Sequence, residues 1–257
     1  MRQIDTGELS ESAVFQAASQ YIQGIDVSEY QNDIDWDQIA KSDKKFVFVR
    51  VSHGVDIQDK NFQVNWSGAK GARKIRGPYH YFRPDEALKE QVDYFMDTIG
   101  QLQVGDLAPV IDVEEPEVWT GIAQKDRVPL IQSFLDPVEK RFGIVPTVYS
   151  SASFFGDVLG NQYTPPLRRY TNWIANYRVS SPKVPAPWPT WNFWQFSNTG
   201  SVAGITGAVD QDAFNGSMDA LQSLTVGALL KPSRVGWTPG CKMHWCRCRH
   251  RMRCNCK

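Results

Sequence analysis

The chain has 257 residues, of which 42% are hydrophobic and 22% charged, as expected for an ordinary globular protein with one sizeable domain. Its 28 Lys and Arg balance 28 Asp and Glu, so the chain as a whole is neither strongly basic nor strongly acidic. No stretch is long and apolar enough to span a membrane.

The charge is unevenly distributed along the chain. Residues 225–257 carry eight Lys or Arg, no Asp or Glu, and all five cysteines, whereas residues 1–224 carry 20 basic and 28 acidic residues. The body therefore folds without disulfides. Because the body is acidic and contains no recognised nucleic-acid motif, nucleic acid is not an expected partner.

The first 20 residues form an N-terminal leader that lacks the apolar core of a signal peptide. The leader has the pattern of a short amphipathic helix. Either the protein reaches its place of action by another route, or a signal has already been removed.

Strand and helix patterns alternate after this leader. Helical spacing occurs at 36–41, 61–72, 85–99 and 127–142. Runs typical of strands occur at 21–28, 46–52, 74–82, 108–114, 146–150, 172–177, 191–196 and 208–214.

Alternation of strands and helices favours a parallel sheet, and eight strands favour a closed barrel. We therefore predict an α/β fold: a single, flattened TIM-like (β/α) barrel over residues 21–224, with fewer helices in its last third. The basic, Cys-rich tail (225–257) follows it.

The segment APVIDVEE at 108–115 is the most informative stretch. Side chains alternate along a strand, so Asp112 and Glu114 project to the same side. Two acids at the end of a buried strand are costly unless they find partners or perform chemistry. The alternative is that they are solvated or cap the next helix.

Two more acids join them if the barrel closes. Asp26 lies on the first strand and Asp210 on the last, and these strands are neighbours in a closed barrel. Catalytic groups gather at the C-terminal ends of barrel strands. Four converging carboxylates suit protonation of a glycosidic oxygen, because like charges raise the pKa of at least one acid.

Aromatic residues are frequent near the same strand ends. They serve either as core or as flat surfaces for sugar rings. Our candidates for substrate binding are Tyr81, Tyr149, Tyr177 and Trp194.

Several motifs together resemble glycoside hydrolase family 25, the Chalaropsis-type lysozymes (N-acetylmuramidases) common among phage endolysins. The motifs GIDVSEYQ, GPYHYFRP, VIDVEE, TVYSS, NWIANY and WQFSNTGSVAGITGAVDQDAF occur in the family's order over residues 21–221. Each motif alone is weak, but the ordered set is specific.

The resemblance implies hydrolysis of the β-1,4 bond between N-acetylmuramic acid and N-acetylglucosamine in peptidoglycan, with no cofactor and no metal. Glu114 matches the proton donor, and Asp112 would orient the 2-acetamido group or tune Glu114. Asp26 and Asp210 match the remaining acids, with Asp212 a weaker candidate. The Asp-x-Glu spacing also favours a substrate-assisted route, an exception to the two-carboxylate scheme.

One position departs from the family pattern. His53 stands where the family usually has an acid at the end of the second strand, and we include it among the substrate-binding candidates. It is either a rim substitution with little effect or the source of an altered pH optimum or subsite.

The tail has the spacing C-x4-C-x-C-x5-C-x-C, which is not that of a zinc finger. It is a cationic segment for anionic envelope components, an adventitious metal-binding sequence, or a tail without an evolved task.

We expect a monomer that acts on the bacterial cell wall, either phage-type and released from the cytoplasm or secreted with its signal removed. The rival functions are a barrel that only binds wall glycan and a glycosidase for another N-acetylated glycan such as chitin.

Overall fold

The computed structural model describes residues 8–227, so nearly all of the tail lies outside the described residues. This part of the chain contains strands β1 (Ile22–Val27), β2 (Phe46–His53), β3 (Ile57–Gln58), β4 (Ile75–Tyr81), β5 (Val110–Asp112), β6 (Thr147–Ser151), β7 (Thr171–Ala175), β8 (Phe193–Gly200) and β9 (Val209–Phe214). Each predicted strand coincides with one of these; only the two-residue β3 has no counterpart.

The helices are α1 (Glu11–Ala18), α2 (Trp36–Lys41), α3 (Phe62–Gly71), α4 (Leu88–Ile99), α5 (Gln124–Phe142), α6 (Ala152–Phe154) and α7 (Met218–Ser223). In α4, Val92, Phe95 and Ile99 recur every three or four residues and are buried, the spacing of an apolar helix face. Among residues 8–227, no helix is long and apolar enough to cross a bilayer.

Eight strands close into a barrel in the order β1, β2, β4, β5, β6, β7, β8, β9, which confirms the predicted fold class. The pairs from β1 through β8 are parallel, but β9 is antiparallel to both β8 and β1. The expectation of an all-parallel sheet is wrong for β9. Only residues 201–208 join it to β8, too few for a parallel crossover.

Strand alternation separates two apolar layers. Phe46, Phe48, Tyr149, Trp173 and Phe193 fill the barrel interior, whereas the intervening residues of the same strands pack against the surrounding helices. The interior aromatics close the lower part of the barrel, which leaves the polar residues at its C-terminal end facing the mouth.

The segment predicted as a leader is partly integrated into the barrel. Helix α1 packs against β8, where Phe15 and Phe196 form an edge-to-face contact of 5.2 Å between ring centroids. Residues 8–20 therefore share a core with the barrel (Val14, Ala18, Trp194). At the other end, the Val226 N–H donates to the Asp106 carbonyl at 2.8 Å, so packing continues past residue 224.

Candidate active site

The structure brings the four acids together at the mouth of the barrel. Asp26 pairs directly with Asp210 across the β1–β9 ladder, Asp112 ends β5, and Glu114 follows two residues later on the same side. Asp26 and Asp112 are buried, whereas Glu114 and Asp210 are half-buried. Because β9 runs antiparallel, Asp210 reaches the mouth from the beginning of its strand rather than from its end.

Gln195 on β8 connects these acids. Its Nε2 donates to Asp26 Oδ2 at 2.8 Å and lies 3.3 Å from Asp210 Oδ2. Its Oε1 accepts from the hydroxyls of Tyr149, at 2.8 Å, and Tyr177, at 2.5 Å. Only 2% of the surface of Gln195 is exposed. Its amide fixes one carboxyl oxygen of Asp26, one of Asp210, and both tyrosine hydroxyls.

Sequence reasoning alone does not single out Gln195. The signal is that Gln195 is an amide inside the apolar run WNFWQF, on the opposite strand face from Trp194 and Phe196. A buried amide of this kind needs partners for all its polar atoms, and here the partners are the acids and tyrosines of the site.

Burial raises the pKa of all four carboxyls. The pKa values of Asp26 and Asp112 lie well above the usual range because both are buried and because neighbouring carboxylates add repulsion, chiefly Asp210 for Asp26 and Glu114 for Asp112. Burial raises the pKa of Asp210 to about 6, against a hydrogen bond with Asp26 that lowers it. The site therefore holds protons on some of its acids near neutral pH.

The Glu114 carboxyl has two opposing influences on its pKa. Burial raises it, with smaller contributions from Asp210 and Glu115, and a hydrogen bond with the Tyr149 hydroxyl lowers it. Tyr177 already supplies one donor to Gln195 Oε1, so the Tyr149 proton can be shared between Gln195 and Glu114. Tyr149 thus sets how firmly Glu114 holds its proton.

We expect Tyr149→Phe to raise the pKa of Glu114, because the variant loses the hydrogen bond that stabilises the ionised form. If Glu114 acts as an acid, the alkaline limb of the kcat/KM profile should move to higher pH by about one unit, the equivalent of one modest hydrogen bond. Tyr170→Phe, another buried tyrosine bonded to Asp136 away from the mouth, should leave the limb in place. A limb that stays or falls in Tyr149→Phe would contradict this assignment.

Asp212 lies deeper than the four acids. It is 0% exposed, and its Oδ1 accepts from Trp173 Nε1 at 2.8 Å. Burial is the main cause that raises its pKa well above the usual range. Because Asp212 lies beneath Asp26 and Asp210 rather than at the surface of the mouth, it supports the cluster from below.

Arg50 is a buried cation whose charge acts on the acids. Its Nε donates to Asp59 Oδ2 at 2.8 Å and its guanidinium lies 3.2 Å from Glu29 Oε1. Its charge lowers the pKa of Asp112, though by less than burial and Glu114 raise it. Arg50 therefore limits the repulsion among the acids without removing it.

His53 and Tyr81 form one rim of the mouth. A β-bulge between Arg50 and Ser52 shifts the register, so that His53 pairs with Tyr81, and their rings lie 4.6 Å apart. A bulge changes the face to which the following side chains point, and this one turns His53 toward the mouth. Burial is the main cause of the lowered pKa of His53, followed by the charges of Arg50 and Arg83.

Trp194 does not reach the mouth, so its assignment as a sugar-binding residue is wrong. Its side chain is 0% exposed, packs between Trp191 and Phe196, and donates from Nε1 to the Asn176 carbonyl at 2.7 Å. Its neighbour Gln195 takes the inward position on β8, so Trp194 must point outward.

An open cavity of about 300 Å³ adjoins Glu114 on the side of β6. Its walls combine acids and hydroxyls with an apolar floor: Glu114, Glu115, Ser150, Ser151, Ser153, Asp157, Phe154, Val158 and Pro116. Glu115 has a left-handed backbone (φ 53°) and pairs with Arg83 at 2.9 Å. Glu114 therefore lies between this cavity and the other three acids.

Comparison with known proteins identifies the family. The sequence model described as Glycosyl hydrolases family 25 matches residues 25–205, more than half of the chain. The chain belongs to glycosyl hydrolase family 25. It is an enzyme of the muramidase class of glycoside hydrolases, as its relatives indicate.

Relatives of this family 25 chain include lysozyme M1 of Streptomyces globisporus, 32% identical over 79% of this chain and 71% of that protein. The uncharacterized protein YegX of Escherichia coli K12 is 35% identical, over 82% of this chain and 75% of that protein. The crystal structure of the bacterial lysozyme from Streptomyces coelicolor superposes with a TM-score of 0.76 at 32% identity, over 81% of this chain and 98% of that chain.

Proposed function

We propose that this family 25 hydrolase cleaves the β-1,4 bond between N-acetylmuramic acid and N-acetylglucosamine, with Glu114 as the general acid. The proposal depends mainly on one observation: Glu114 is a half-buried carboxyl with a raised pKa that lies between an open cavity and three more acids. A raised pKa favours the protonated form, which is the form that a general acid needs in order to protonate the leaving oxygen.

The Asp112 carboxyl supports a substrate-assisted route. Its Oδ1 is buried and has no hydrogen-bond partner among residues 8–227, which is costly for a polar atom. The N–H of a 2-acetamido group would satisfy that oxygen. Held in this way, the acetamido carbonyl oxygen would face the anomeric carbon and act as the nucleophile while Glu114 gives up its proton.

Asp26 and Asp210 would then stabilise positive charge on the sugar or help activate water. Asp210, with a pKa of about 6, ionises above that pH, and burial raises the pKa of Glu114 above its ordinary value. Activity that needs ionised Asp210 and protonated Glu114 gives a bell-shaped pH profile whose acid limb lies near pH 6.

Digestion of purified sacculi tests the proposed reaction. We expect loss of turbidity together with new reducing ends on N-acetylmuramic acid. Reducing ends on N-acetylglucosamine would identify a different glycosidase. Binding to sacculi without any new reducing ends would instead favour a barrel that only binds wall glycan.

His53 offers a more specific test. If its imidazole sets the pH response of the rim, His53→Glu should shift the pH–rate profile, because a carboxylate would add negative charge beside Tyr81 and Glu115. The profile is measured as kcat/KM on sacculi from about pH 4 to about pH 9, a range that covers the ordinary pKa values of carboxyl and imidazole groups. An unchanged profile would leave His53 as a rim residue with little effect.

We also propose that the protein acts as a monomer after phage-type release from the cytoplasm or secretion, and that its tail binds anionic envelope components. Truncation after Gly227 is the suitable test of the tail, because Thr225 and Val226 pack against the barrel. Weaker binding to walls with unchanged cleavage of soluble fragments is expected. Equal wall binding by the truncated chain would refute a role for the tail.

A further inference from the structure

Helix α1 begins near the C-terminal ends of β7 and β8, at the same end of the barrel as the acids. Three contacts attach its N-terminal end to the C-terminal ends of β7 and β8: Leu9 N–H to the Arg178 carbonyl at 2.9 Å, Glu8 to Arg178 at 2.8 Å, and Thr199 Oγ1 to Glu11. From there the helix descends along the outer face of β8. The family match begins only at residue 25, so α1 lies before the matched residues.

A small cavity of about 160 Å³ lies between α1 and these strand ends. It is lined by Glu11, Val14, Phe15, Tyr177, Arg178, Phe196, Ser197, Asn198 and Thr199. Tyr177 is shared with the site described above, where its hydroxyl donates to Gln195. Tyr177 therefore borders both this cavity and the barrel mouth.

The chemistry of this lining suits a sugar better than a charged or wholly apolar ligand. Phe15 and Tyr177 supply ring surface, and Asn198 and Thr199 are exposed polar residues. Glu11 provides a hydrogen-bond acceptor and Arg178 provides donors. Ring faces together with a few placed polar groups are typical of saccharide recognition, and the volume accommodates an acetamido group with part of its ring.

We propose that this α1 cavity is an additional glycan subsite, which binds an N-acetylated sugar of the same strand several units from the scissile bond. The inference builds on the proposed peptidoglycan hydrolysis and adds a specificity element to it. A strand that crosses the mouth from the Glu114 cavity, over the acids and past Tyr177, arrives at α1. Helix α1 then determines how long a glycan the enzyme prefers.

Asn198→Ala and Glu11→Ala test the subsite with soluble glycan fragments of two lengths. For an octasaccharide we expect KM to rise about three- to tenfold, the value of one or two lost hydrogen bonds, with kcat unchanged. For a tetrasaccharide bound over the acids without entering the α1 cavity, neither constant should change. Gln16→Ala, an exposed α1 residue outside this cavity, is the matched control.

The outcomes separate the subsite from the proposed reaction. The α1 subsite would be overturned if KM changed equally for both fragment lengths, or for neither. Cleavage by the wild-type enzyme would still support the muramidase reaction in that case. A wild-type enzyme that cleaves neither fragment nor sacculi would instead refute the reaction itself. Thermal melting of each variant shows whether loss of the Glu11–Thr199 contact has loosened α1. Asn198→Ala leaves that contact in place, so it still tests the subsite if Glu11→Ala loosens the helix.

Discussion

Glu114→Gln is expected to lower kcat on sacculi by about a thousandfold, within the range that general acid catalysis contributes. Glutamine has the same shape and can still accept a hydrogen bond from Tyr149, but it has no proton to give to the leaving oxygen. Because the substitution also removes one member of a crowded acid cluster, we expect the melting temperature to stay the same or rise. Turbidity loss and reducing-end release measure the first effect, and calorimetry the second.

Glu117→Gln is the matched control for this variant. Glu117 lies three residues further along and is exposed, so its neutralisation changes the local charge equally without touching the mouth. It should retain wild-type activity. If Glu114→Gln retained more than about a tenth of wild-type kcat, Glu114 could not be the general acid, because that loss falls short of a proton donor's contribution.

Gln195→Leu should have the second largest effect, a loss of about a hundredfold in kcat. Leucine has a similar volume, but it leaves Asp26 without its amide donor and the two tyrosine hydroxyls without their shared acceptor. The catalytic groups are then no longer held in their relative positions. The hydrogen bond from Gln195 lowers the pKa of Asp26, so its loss raises that pKa further. The Gln195 amide also lies 3.3 Å from Asp210 Oδ2, so its loss disfavours the ionised form of Asp210, and the acid limb of kcat/KM should move to higher pH.

Gln91→Leu controls for the cost of burying leucine in place of a bonded amide. Gln91 is as fully buried as Gln195, but it bonds His80 and the backbone of Arg83 on the outer side of the barrel. We expect it to lower the melting temperature while the shape of the pH profile stays that of the wild type. If both variants gave the same profile, Gln195 would be only a structural residue.

The positions of the strands could be predicted from the sequence because they depend on local pattern. Runs such as FVFVRVS at 46–52 are β-branched and aromatic, the residue types that are enriched in strands. The adjacency of Asp26 and Asp210 followed from closure of the barrel, which the pairing of β1 with β9 confirms.

The features that were missed depend on contacts distant in sequence or on single-residue shifts. The bulge at Val51 reverses the strand face on which His53 lies, and the neighbouring residue types do not predict this bulge. Trp194 was predicted to bind sugar because it is an aromatic residue near a strand end, but it is buried in the core, and its neighbour Gln195 takes the inward position. The direction of β9 depended on the shortness of the preceding loop.

The antiparallel β9 also decides where other molecules can be attached to this enzyme. Since β9 runs away from the mouth, α7 and the backbone bonds of Val226 lie at the bottom of the barrel, beside the start of β5. An enzyme tethered to a bead or fused to a carrier through its C-terminal side would present its open end outward. The same tether placed before Glu8 would stand at the entrance and obstruct long glycan strands.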